Sequence, residues 1–288
     1  GSTDATRGCK HLCRHCPIVP VYQGQFRAVS LDVVMADVHA QVATGAQHIS
    51  FGDPDFLNGP THARRLIERF HSECPAISYD VTIKIEHLLK HADMIPLLHD
   101  TGCLFITSAV EAIDDSVLEK LMKGHTRSDF INVAALCRDV GVTLVPTFVP
   151  FTPWTTLAGY VELLDVLEEL DLVEQVAPIQ LAIRLLVTSR SPLLELPDVR
   201  ELVAPFDPTS LTWPWRHRNP GVDVLQAGVM QLVGSVSGSS HAQVFDAISA
   251  LAREHAGLLP KRSRTKHLTP VPRVNEPWYC CAEPMESL

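Results

Sequence analysis

The sequence lacks the features that would direct a protein into a membrane, through a secretory route or onto a nucleic acid. No apolar run reaches the length of about 18 residues that a membrane-spanning helix requires, and no secretory signal is visible. The formal net charge of −9 argues against nucleic acid as an electrostatic partner. We therefore expect a cytoplasmic protein that acts without a membrane or a nucleic acid.

Internal repeats and low-complexity tracts are also missing, and what is present is typical of an enzyme with a large core. The chain has 288 residues, of which 46% are hydrophobic, so it is long enough to bury such a core. Five of the eight cysteines lie in two tight clusters. This arrangement fits reduced thiols that bind a metal or a substrate better than it fits disulfides.

Short apolar runs alternate with helical patterns as far as about residue 190, which predicts an α/β fold with parallel strands. The predicted strands cover residues 47–51, 78–83, 103–108, 142–148 and 179–186. The predicted helices cover residues 30–44, 61–71, 87–99, 115–122, 128–140, 155–170, 222–232 and 241–255. In such a fold the chemistry lies on loops at the carboxyl ends of the strands.

Prolines cluster from residue 197 onward, which predicts a boundary between a domain at 3–196 and a C-terminal extension at 197–288. Gly1 and Ser2 are typical of a cloning remnant and are left out of the first domain. The six residues between Ser2 and Cys9 leave little room for a first strand, so we expect a trimmed or compact N-terminus.

Three cysteines near the N-terminus carry the strongest chemical signal. Cys9, Cys13 and Cys16 are spaced C-x3-C-x2-C, so their thiolates converge on one point and suit a sulfur-loving metal centre. Three thiolates are one fewer than a closed zinc or four-cysteine iron–sulfur site requires, which leaves a coordination position for chemistry. A zinc site or a structural thiol cluster is the alternative. His11 and His15 lie inside the loop, either as metal ligands or as surface or cluster-packing residues.

This spacing resembles that of the radical S-adenosylmethionine (radical SAM) enzymes. The resemblance implies a partial (β/α)6 TIM-like barrel and a [4Fe-4S] cluster held by Cys9, Cys13 and Cys16. It also implies that the open iron chelates S-adenosylmethionine, and that an electron from the cluster breaks a carbon–sulfur bond to release a carbon radical. An electron donor such as flavodoxin or ferredoxin is then an expected partner.

The turn Phe51-Gly52-Asp53-Pro54-Asp55 follows the predicted strand at 47–51, the second strand of the barrel, and resembles the family's Gly-Gly-Glu-like motif. The resemblance implies that Gly52, Asp53 and Asp55 contact the methionine ammonium of the cofactor. It leaves open which aspartate makes that contact. Without the family context, the same residues read as a good turn sequence.

A second stretch resembles the family motif that follows the fourth barrel strand. It begins at Ser108 and Glu111 and continues to Lys123 and Gly124. The resemblance implies that Glu111, and with less support Ser108, lie near the ribose or methionine end of the cofactor. Lys123 and Gly124 are expected to end a helix, as a favourable charge and a C′ glycine.

Two further cations are candidate cofactor contacts. Lys84 ends a predicted strand beside Glu86, so it either forms a salt bridge or contacts the cofactor. Arg184 is the one charge in an otherwise apolar predicted strand, and a buried arginine needs an anionic partner. That partner is either the carboxylate of S-adenosylmethionine or an internal acid.

The tail Cys280-Cys281-Ala282-Glu283-Pro284 is the second informative motif. It resembles a radical SAM subgroup named for a Cys-Cys-Ala-Glu-Pro tail, in which some members are thought to carry selenocysteine at the second position. The radical SAM enzyme of arsinothricin biosynthesis, which is thought to alkylate arsenite with a 3-amino-3-carboxypropyl radical, also ends in vicinal cysteines. We therefore predict catalytic roles for Cys280 and Cys281, which would present a thiophilic substrate such as arsenite. A second cluster, a hydrogen-donating thiol and a disordered tail are the alternatives.

Together these motifs predict a radical SAM enzyme that acts on a small, possibly thiophilic molecule. Hydrogen abstraction from an organic substrate by a 5′-deoxyadenosyl radical is the alternative within the family. The rivals from other classes are a non-catalytic metal- or metalloid-binding protein and an electron-transfer protein. The single cysteines Cys74, Cys103 and Cys137 are expected to be core residues.

Overall fold

The computed structural model describes residues 1–235, 240–261 and 271. These residues divide into two compact units. The first contains residues 1–12, 21–110 and 124–146, and the second contains residues 13–20, 111–123 and the described residues from 147 onward. The domain boundary after residue 196 stays a prediction.

Parallel strands form the main sheet, in the order β1-β4-β5-β6-β7. The strands are β1 (Ser2–Thr3), β2 (Thr6–Gly8), β3 (Phe26–Ala28), β4 (His48–Phe51), β5 (Ser78–Thr82), β6 (Cys103–Glu111) and β7 (Thr143–Phe148). Parallel pairing joins β1 to β4, β4 to β5, and β5 to β6. Strands β2 and β3 pair separately as an antiparallel ribbon.

Helices connect the parallel strands, as parallel pairing requires. They are α1 (Val19–Tyr22), α2 (Leu31–Ala43), α3 (Pro60–Glu73), α4 (Ile85–Lys90), α5 (Met94–Asp100), α6 (Asp115–Leu121), α7 (Arg127–Val140), α8 (Leu157–Glu169), α9 (Pro197–Arg200), α10 (Pro220–Ser235) and α11 (His241–His255). Short 3-10 turns cover Phe56–Asn58, Val173–Gln175, Pro178–Leu181 and Pro192–Glu195. No helix among the described residues is both long and apolar enough to cross a membrane.

An aromatic cluster fixes α3 against β4 and β5 in the first unit. Phe51, Phe70 and Tyr79 are fully buried, and each pair of rings meets edge to face with centroids 5.3–5.9 Å apart. Edge-to-face contacts of this kind add to the free energy gained by burying the rings. The loops that follow β4 and β5 therefore start from a rigid base.

The second unit has its own apolar core, which consists mainly of described residues that follow β7. The buried members of that core are Val117, Leu121, Val149, Ile183, Leu185, Val187, Leu193, Val199 and Trp215. In the same unit, α11 packs against α8 and α10.

The mixed α/β fold on a parallel sheet confirms the predicted fold class. The predicted strand at 179–186 is wrong in detail, because Pro178–Leu181 forms a 3-10 turn. A parallel bridge there joins Phe151 and Arg184. The predicted helix at 87–99 is two helices, α4 and α5, because Pro96 lacks an amide hydrogen and its ring would clash with the preceding turn. Cys74, Cys103 and Cys137 are buried, as predicted.

Candidate active site

The first part of the cysteine loop belongs to the first unit and is held by Asn58. Cys9 follows β2, and its Sγ lies 3.8 Å from Asn58 Oδ1. The Lys10 amide donates to the same oxygen at 3.2 Å, and Asn58 Nδ2 donates to the Gly8 carbonyl at 3.3 Å. One amide side chain thus fixes the backbone on both sides of Cys9.

The later part of the loop belongs to the second unit and is fastened to the end of α6. The Cys16 amide donates to the Cys13 carbonyl at 3.1 Å, which closes a turn between these two cysteines. Inside that turn, the Arg14 amide donates to the Leu121 carbonyl at 3.0 Å, and the Arg14 guanidinium donates to the Lys120 carbonyl at the same distance. This turn is therefore held by the backbone of the α6 terminus.

A buried ionic triad surrounds Glu111, the last residue of β6. Its Oε1 lies 2.9 Å from His15 Nε2 and 3.3 Å from Lys123 Nζ. Burial acts to raise the pKa of Glu111, but the neighbouring charges of Lys123 and His15 outweigh burial and lower the pKa to about 2. Glu111 also has a φ of +70°, a strained conformation for a residue with a side chain. Such strain persists only where surrounding contacts hold it, as His15 and Lys123 do here.

The triad corrects two expectations. Lys123 does not end a helix, because α6 ends at Leu121 and is capped by Met122 in the left-handed conformation. His15 is buried and bonded to an acid, so it is neither a surface residue nor a simple packing residue.

Asp53, in the turn after β4, is committed to the backbone of the N-terminal segment. It accepts hydrogen bonds from the Ala5 amide at 2.9 Å and from the Thr6 hydroxyl. Burial raises the pKa of Asp53, although these hydrogen bonds partly oppose the effect. A Cβ on Gly52 would lie 2.7 Å from Asp4 Oδ1, so the close approach that Gly52 permits is to Asp4.

Asp55, the second acid of that turn, lies fully buried between two histidines. Its Oδ2 is 2.6 Å from His87 Nδ1 and 3.4 Å from His11 Nε2. Its Oδ1 accepts hydrogen bonds from the Leu57 amide at 3.3 Å and from the Lys84 amide at 3.4 Å. Burial acts to raise the pKa of Asp55, but the two imidazoles beside it lower the pKa well below its usual range.

Lys84 follows β5 and is buried, with its Nζ 3.2 Å from Glu86 Oε2. Of the two predicted roles of Lys84, a salt bridge to Glu86 or a contact with the cofactor, this geometry matches the salt bridge. Gly124 lies against the same carboxylate, since a Cβ there would be 2.6 Å from Glu86 Oε2. Its φ of +75° also favours glycine.

Ser108 and Arg184 differ in whether their side-chain polar atoms have hydrogen-bond partners. Ser108 is fully buried in β6, and its hydroxyl has no hydrogen-bond partner among the described residues. Arg184 binds Asp223 at 2.7 Å, donates to the Trp215 carbonyl, and stacks on the Trp215 ring at 3.7 Å from its centroid. The anionic partner that Arg184 requires is therefore internal. The predicted catalytic pair Cys280 and Cys281 lies outside the described residues.

The donors present fit the cofactors that the cysteine spacing implies. No disulfide joins any of the cysteines in the described part of the chain. Thiols on a loop this short can supply three ligands to one iron–sulfur cluster. The unmatched Ser108 hydroxyl fits a polar cofactor that would supply the missing hydrogen bond.

Comparison with known proteins decides the family. A family model described as the radical SAM superfamily matches residues 4–165, more than half of the chain. The chain belongs to the radical SAM superfamily. Members of the superfamily are enzymes that use a [4Fe-4S] cluster and S-adenosylmethionine, so the predicted family and cofactors are confirmed.

Individual radical SAM relatives are distant. The tRNA-2-methylthio-N(6)-dimethylallyladenosine synthase of Fusobacterium nucleatum subsp. nucleatum is 26% identical over 188 residues, which cover 58% of this chain and 40% of that protein. The cobalamin-dependent enzyme OxsB, with aqua-cobalamin and S-adenosylmethionine bound, is 14% identical in sequence and superposes with a TM-score of 0.68. The match covers 88% of this chain and 46% of the OxsB chain.

A third relative is the radical SAM methyltransferase TsrM from Kitasatospora setae, with cobalamin and a [4Fe-4S] cluster bound. It is 16% identical in sequence with a TM-score of 0.53, and the match covers 89% of this chain and 61% of the TsrM chain. The chain thus spans less than half the length of the synthase and of OxsB. At these identities, the structural matches show a shared fold.

Sequence reasoning gave too little weight to the histidines of this radical SAM chain. The sequence places His11 and His15 inside the cysteine loop but does not reveal their acidic partners. It predicts His87 only as the first residue of a helix. The available signal was a run of polar residues, Lys84, Glu86 and His87, directly after β5, which is where parallel α/β folds place functional side chains.

Proposed function

We propose that this radical SAM protein cleaves S-adenosylmethionine reductively and directs the resulting carbon radical to a small molecule. The contact between His15 and Glu111 carries this proposal most strongly. It ties the turn between Cys13 and Cys16 to the end of β6 at 2.9 Å, through two buried side chains. A loop fixed in this way suits a cluster that must keep one position open to the cofactor.

In this proposal Cys9, Cys13 and Cys16 hold the cluster, and Ser108 offers its unmatched hydroxyl to S-adenosylmethionine. When bound, the cluster supplies the electron that breaks a carbon–sulfur bond of S-adenosylmethionine. Glu111 acts as a positioning residue, because its Oε1 is engaged by His15 and Lys123. Asp53 likewise positions the chain that leads into the loop, through its hydrogen bonds to Ala5 and Thr6.

The substrate we propose is a small thiophilic species, with arsenite as the specific candidate. Vicinal thiols at Cys280 and Cys281 can bind one soft atom together. Transfer of a 3-amino-3-carboxypropyl group to arsenic would then form a carbon–arsenic bond. Residues 3–196 would form the catalytic barrel and 197–288 the extension that carries the thiols.

The relatives act on varied substrates, and the charge of this chain favours a small molecule among them. The synthase from Fusobacterium nucleatum is named for a tRNA nucleoside, and TsrM has been solved with tryptophan bound. A net charge of −9 does not favour a polyanion such as tRNA. We propose flavodoxin or ferredoxin as the electron donor and the cytoplasm as the location.

Anaerobic reconstitution tests the proposal. The protein is loaded with iron and sulfide, mixed with dithionite, S-adenosylmethionine and arsenite, and the products are identified by mass spectrometry. Methylthioadenosine with an arsenic-bearing amino acid is the expected result. 5′-Deoxyadenosine would instead support hydrogen abstraction from an organic substrate. A colourless protein that binds zinc and leaves S-adenosylmethionine intact would contradict the radical reaction.

Matched cysteine variants sharpen this test. Cys13→Ser should lose most of the iron and the cleavage activity, because it removes a proposed cluster ligand. Cys137→Ser should retain both, because Cys137 is buried in the core and burial raises the pKa of its thiol to about 12. Equal iron content in the two variants would argue against the assigned ligands.

A further inference from the structure

A second group of metal-type donors lies in the first unit, at the ends of β4 and β5. One ligand atom from each of His11, Asp55 and His87 lies within 4.8 Å of the other two. Asp55 Oδ2 is 3.4 Å from His11 Nε2 and 2.6 Å from His87 Nδ1. Asp55 follows β4, and His87 is on α4, which follows β5. Adjacent parallel strands bring these two positions to one edge of the sheet, where His11 meets them.

The three converging atoms are buried, and the close contacts among them are ion pairs without good hydrogen-bond geometry. Asp55 and His87 are 0% and 1% exposed. Although the atoms lie close together, none of the three makes a hydrogen bond of acceptable geometry within the described residues. Buried polar atoms are nearly always satisfied, so three such atoms facing one point call for a further partner.

The chemistry and spacing of the donors suit a divalent transition-metal ion. Two imidazole nitrogens and one carboxylate oxygen are a common ligand set for zinc and for non-haem iron. Bond lengths of about 2.0–2.2 Å around a tetrahedral ion place neighbouring ligand atoms about 3.3–3.6 Å apart. The 3.4 Å from Asp55 Oδ2 to His11 Nε2 lies within that range. The 2.6 Å from Asp55 Oδ2 to His87 Nδ1 would widen by about 0.7–1.0 Å when the ion binds.

The surroundings hold the donors in place. Asp55 is oriented because its other oxygen, Oδ1, accepts from the Leu57 and Lys84 amides. The other ring nitrogen of His11 lies 3.7 Å from Glu86 Oε2. Metal sites commonly place a carboxylate on this side of a ligating histidine, although 3.7 Å is longer than the hydrogen bond that such a pair forms.

We propose that His11, Asp55 and His87 bind one divalent transition-metal ion of the zinc type, in addition to the cluster. The ion would fix His11, and with it the loop between Cys9 and Cys13, to the ends of β4 and β5. Asp55 then serves as a metal ligand and leaves the cofactor ammonium to other groups.

Zinc retention by the full-length, cluster-loaded protein tests this proposal. The protein is equilibrated with zinc, desalted and analysed by mass spectrometry for metals. We expect about one zinc ion per chain in the unchanged protein, and loss of most of it in His87→Gln. His48→Gln is the matched control, because His48 also contacts an aspartate, Asp80 at 2.8 Å, but both of its ring nitrogens are already bonded.

X-ray absorption at the zinc edge of the unchanged protein covers the case in which His87→Gln fails to fold. Ligation by His11, Asp55 and His87 predicts nitrogen and oxygen neighbours at about 2.0–2.2 Å and no sulfur at about 2.3 Å. Sulfur neighbours would assign the zinc to cysteines instead and overturn the proposal. Absence of retained zinc, or equal zinc in His87→Gln and the unchanged protein, would overturn it as well.

Zinc retention does not depend on cleavage of S-adenosylmethionine. A protein that retains zinc but forms no cleavage product would contradict the proposed function and keep the metal site. The reverse result would keep the function and remove the site.

Discussion

His15 Nε2 lies 2.9 Å from Glu111 Oε1, so a histidine between Cys13 and Cys16 is bonded to the strained last residue of β6. Lys123 reaches the same oxygen at 3.3 Å. All three side chains are buried, which makes the carboxylate costly to leave without its cations. The triad therefore links the geometry of the cysteine loop to the protonation state of one acid.

The first prediction concerns acid stability. The pKa of Glu111 falls from 4.5 to about 2 on folding. A carboxyl with a depressed folded pKa stabilises the chain fully above its unfolded pKa, and that contribution is lost as pH falls toward the folded value. We expect Glu111→Gln to be less stable near neutral pH and to lose stability less steeply between about pH 4.5 and pH 2.

Urea unfolding of iron-free protein across this pH range measures the effect without interference from cluster loss. Glu119→Gln is the control, because Glu119 is exposed on α6, and it should follow the unchanged protein. An acid profile in Glu111→Gln as steep as that of the unchanged protein would contradict the role of the triad.

The second prediction compares Lys120, in the last turn of α6, with Lys123, which follows the cap of that helix. Lys123→Met leaves the Glu111 carboxylate buried with one fewer cation, which should lower the free energy of unfolding by about 3–5 kcal/mol. Lys120 pairs with Asp198 at 2.8 Å but is partly exposed, so Lys120→Met should cost about 1 kcal/mol or less. Denaturant unfolding of the two variants under one condition compares them. Similar losses would show that Lys123 is not part of a buried charge network.

The third prediction separates an internal role of Arg184 from a cofactor role. Arg184 binds Asp223 at 2.7 Å, so Arg184→Gln and Asp223→Asn should each lower the free energy of unfolding by about 1–3 kcal/mol. Equilibrium dialysis should show the same affinity for S-adenosylmethionine in both variants and in the unchanged protein. Weaker binding in Arg184→Gln alone would restore the cofactor contact inferred from the sequence.

The fourth prediction tests the close approach of Gly124 to Glu86. Gly124→Ala forces a side chain into the left-handed region and places its Cβ 2.6 Å from Glu86 Oε2. Gly257→Ala is the matched control, because Gly257 has a similar φ of +67° but would place its Cβ in open space. We expect both to lower the melting temperature, and Gly124→Ala to lower it more. Equal shifts would mean that the Glu86 carboxylate moves aside freely.

Much of the fold follows from local patterns in the sequence. The strands at β4 to β7 and the helices from α2 to α8 lie near their predicted positions, because alternation and helical periodicity are properties of short segments. The break between α4 and α5 was also visible in principle, since Pro96 cannot donate the hydrogen bond that would join its turn to the residues before it. The predicted strand at 179–186 failed because an apolar run cannot show by itself whether a partner strand pairs along its length.

The candidate site also has features that the sequence predicts and others that only the structure shows. The thiols of Cys9, Cys13 and Cys16 could be assigned to one centre from the sequence, because they share one short loop. Glu111 and Asp55 could be identified as important acids, but their partners could not. His15 is separated from Glu111 by 96 residues, and no local pattern relates the two.

The order of amino acids thus sets the family, the cysteine spacing that predicts the cluster ligands, and the alternation of strands and helices, because each of these depends on residues close together in the chain. Tertiary packing decides which charged side chains form pairs. It gives Arg184 to Asp223, Glu111 to His15 and Lys123, and Asp55 to two histidines. The physical reason is that the pairing of a buried charge depends on which distant groups are brought within a few ångströms, and folding alone determines that.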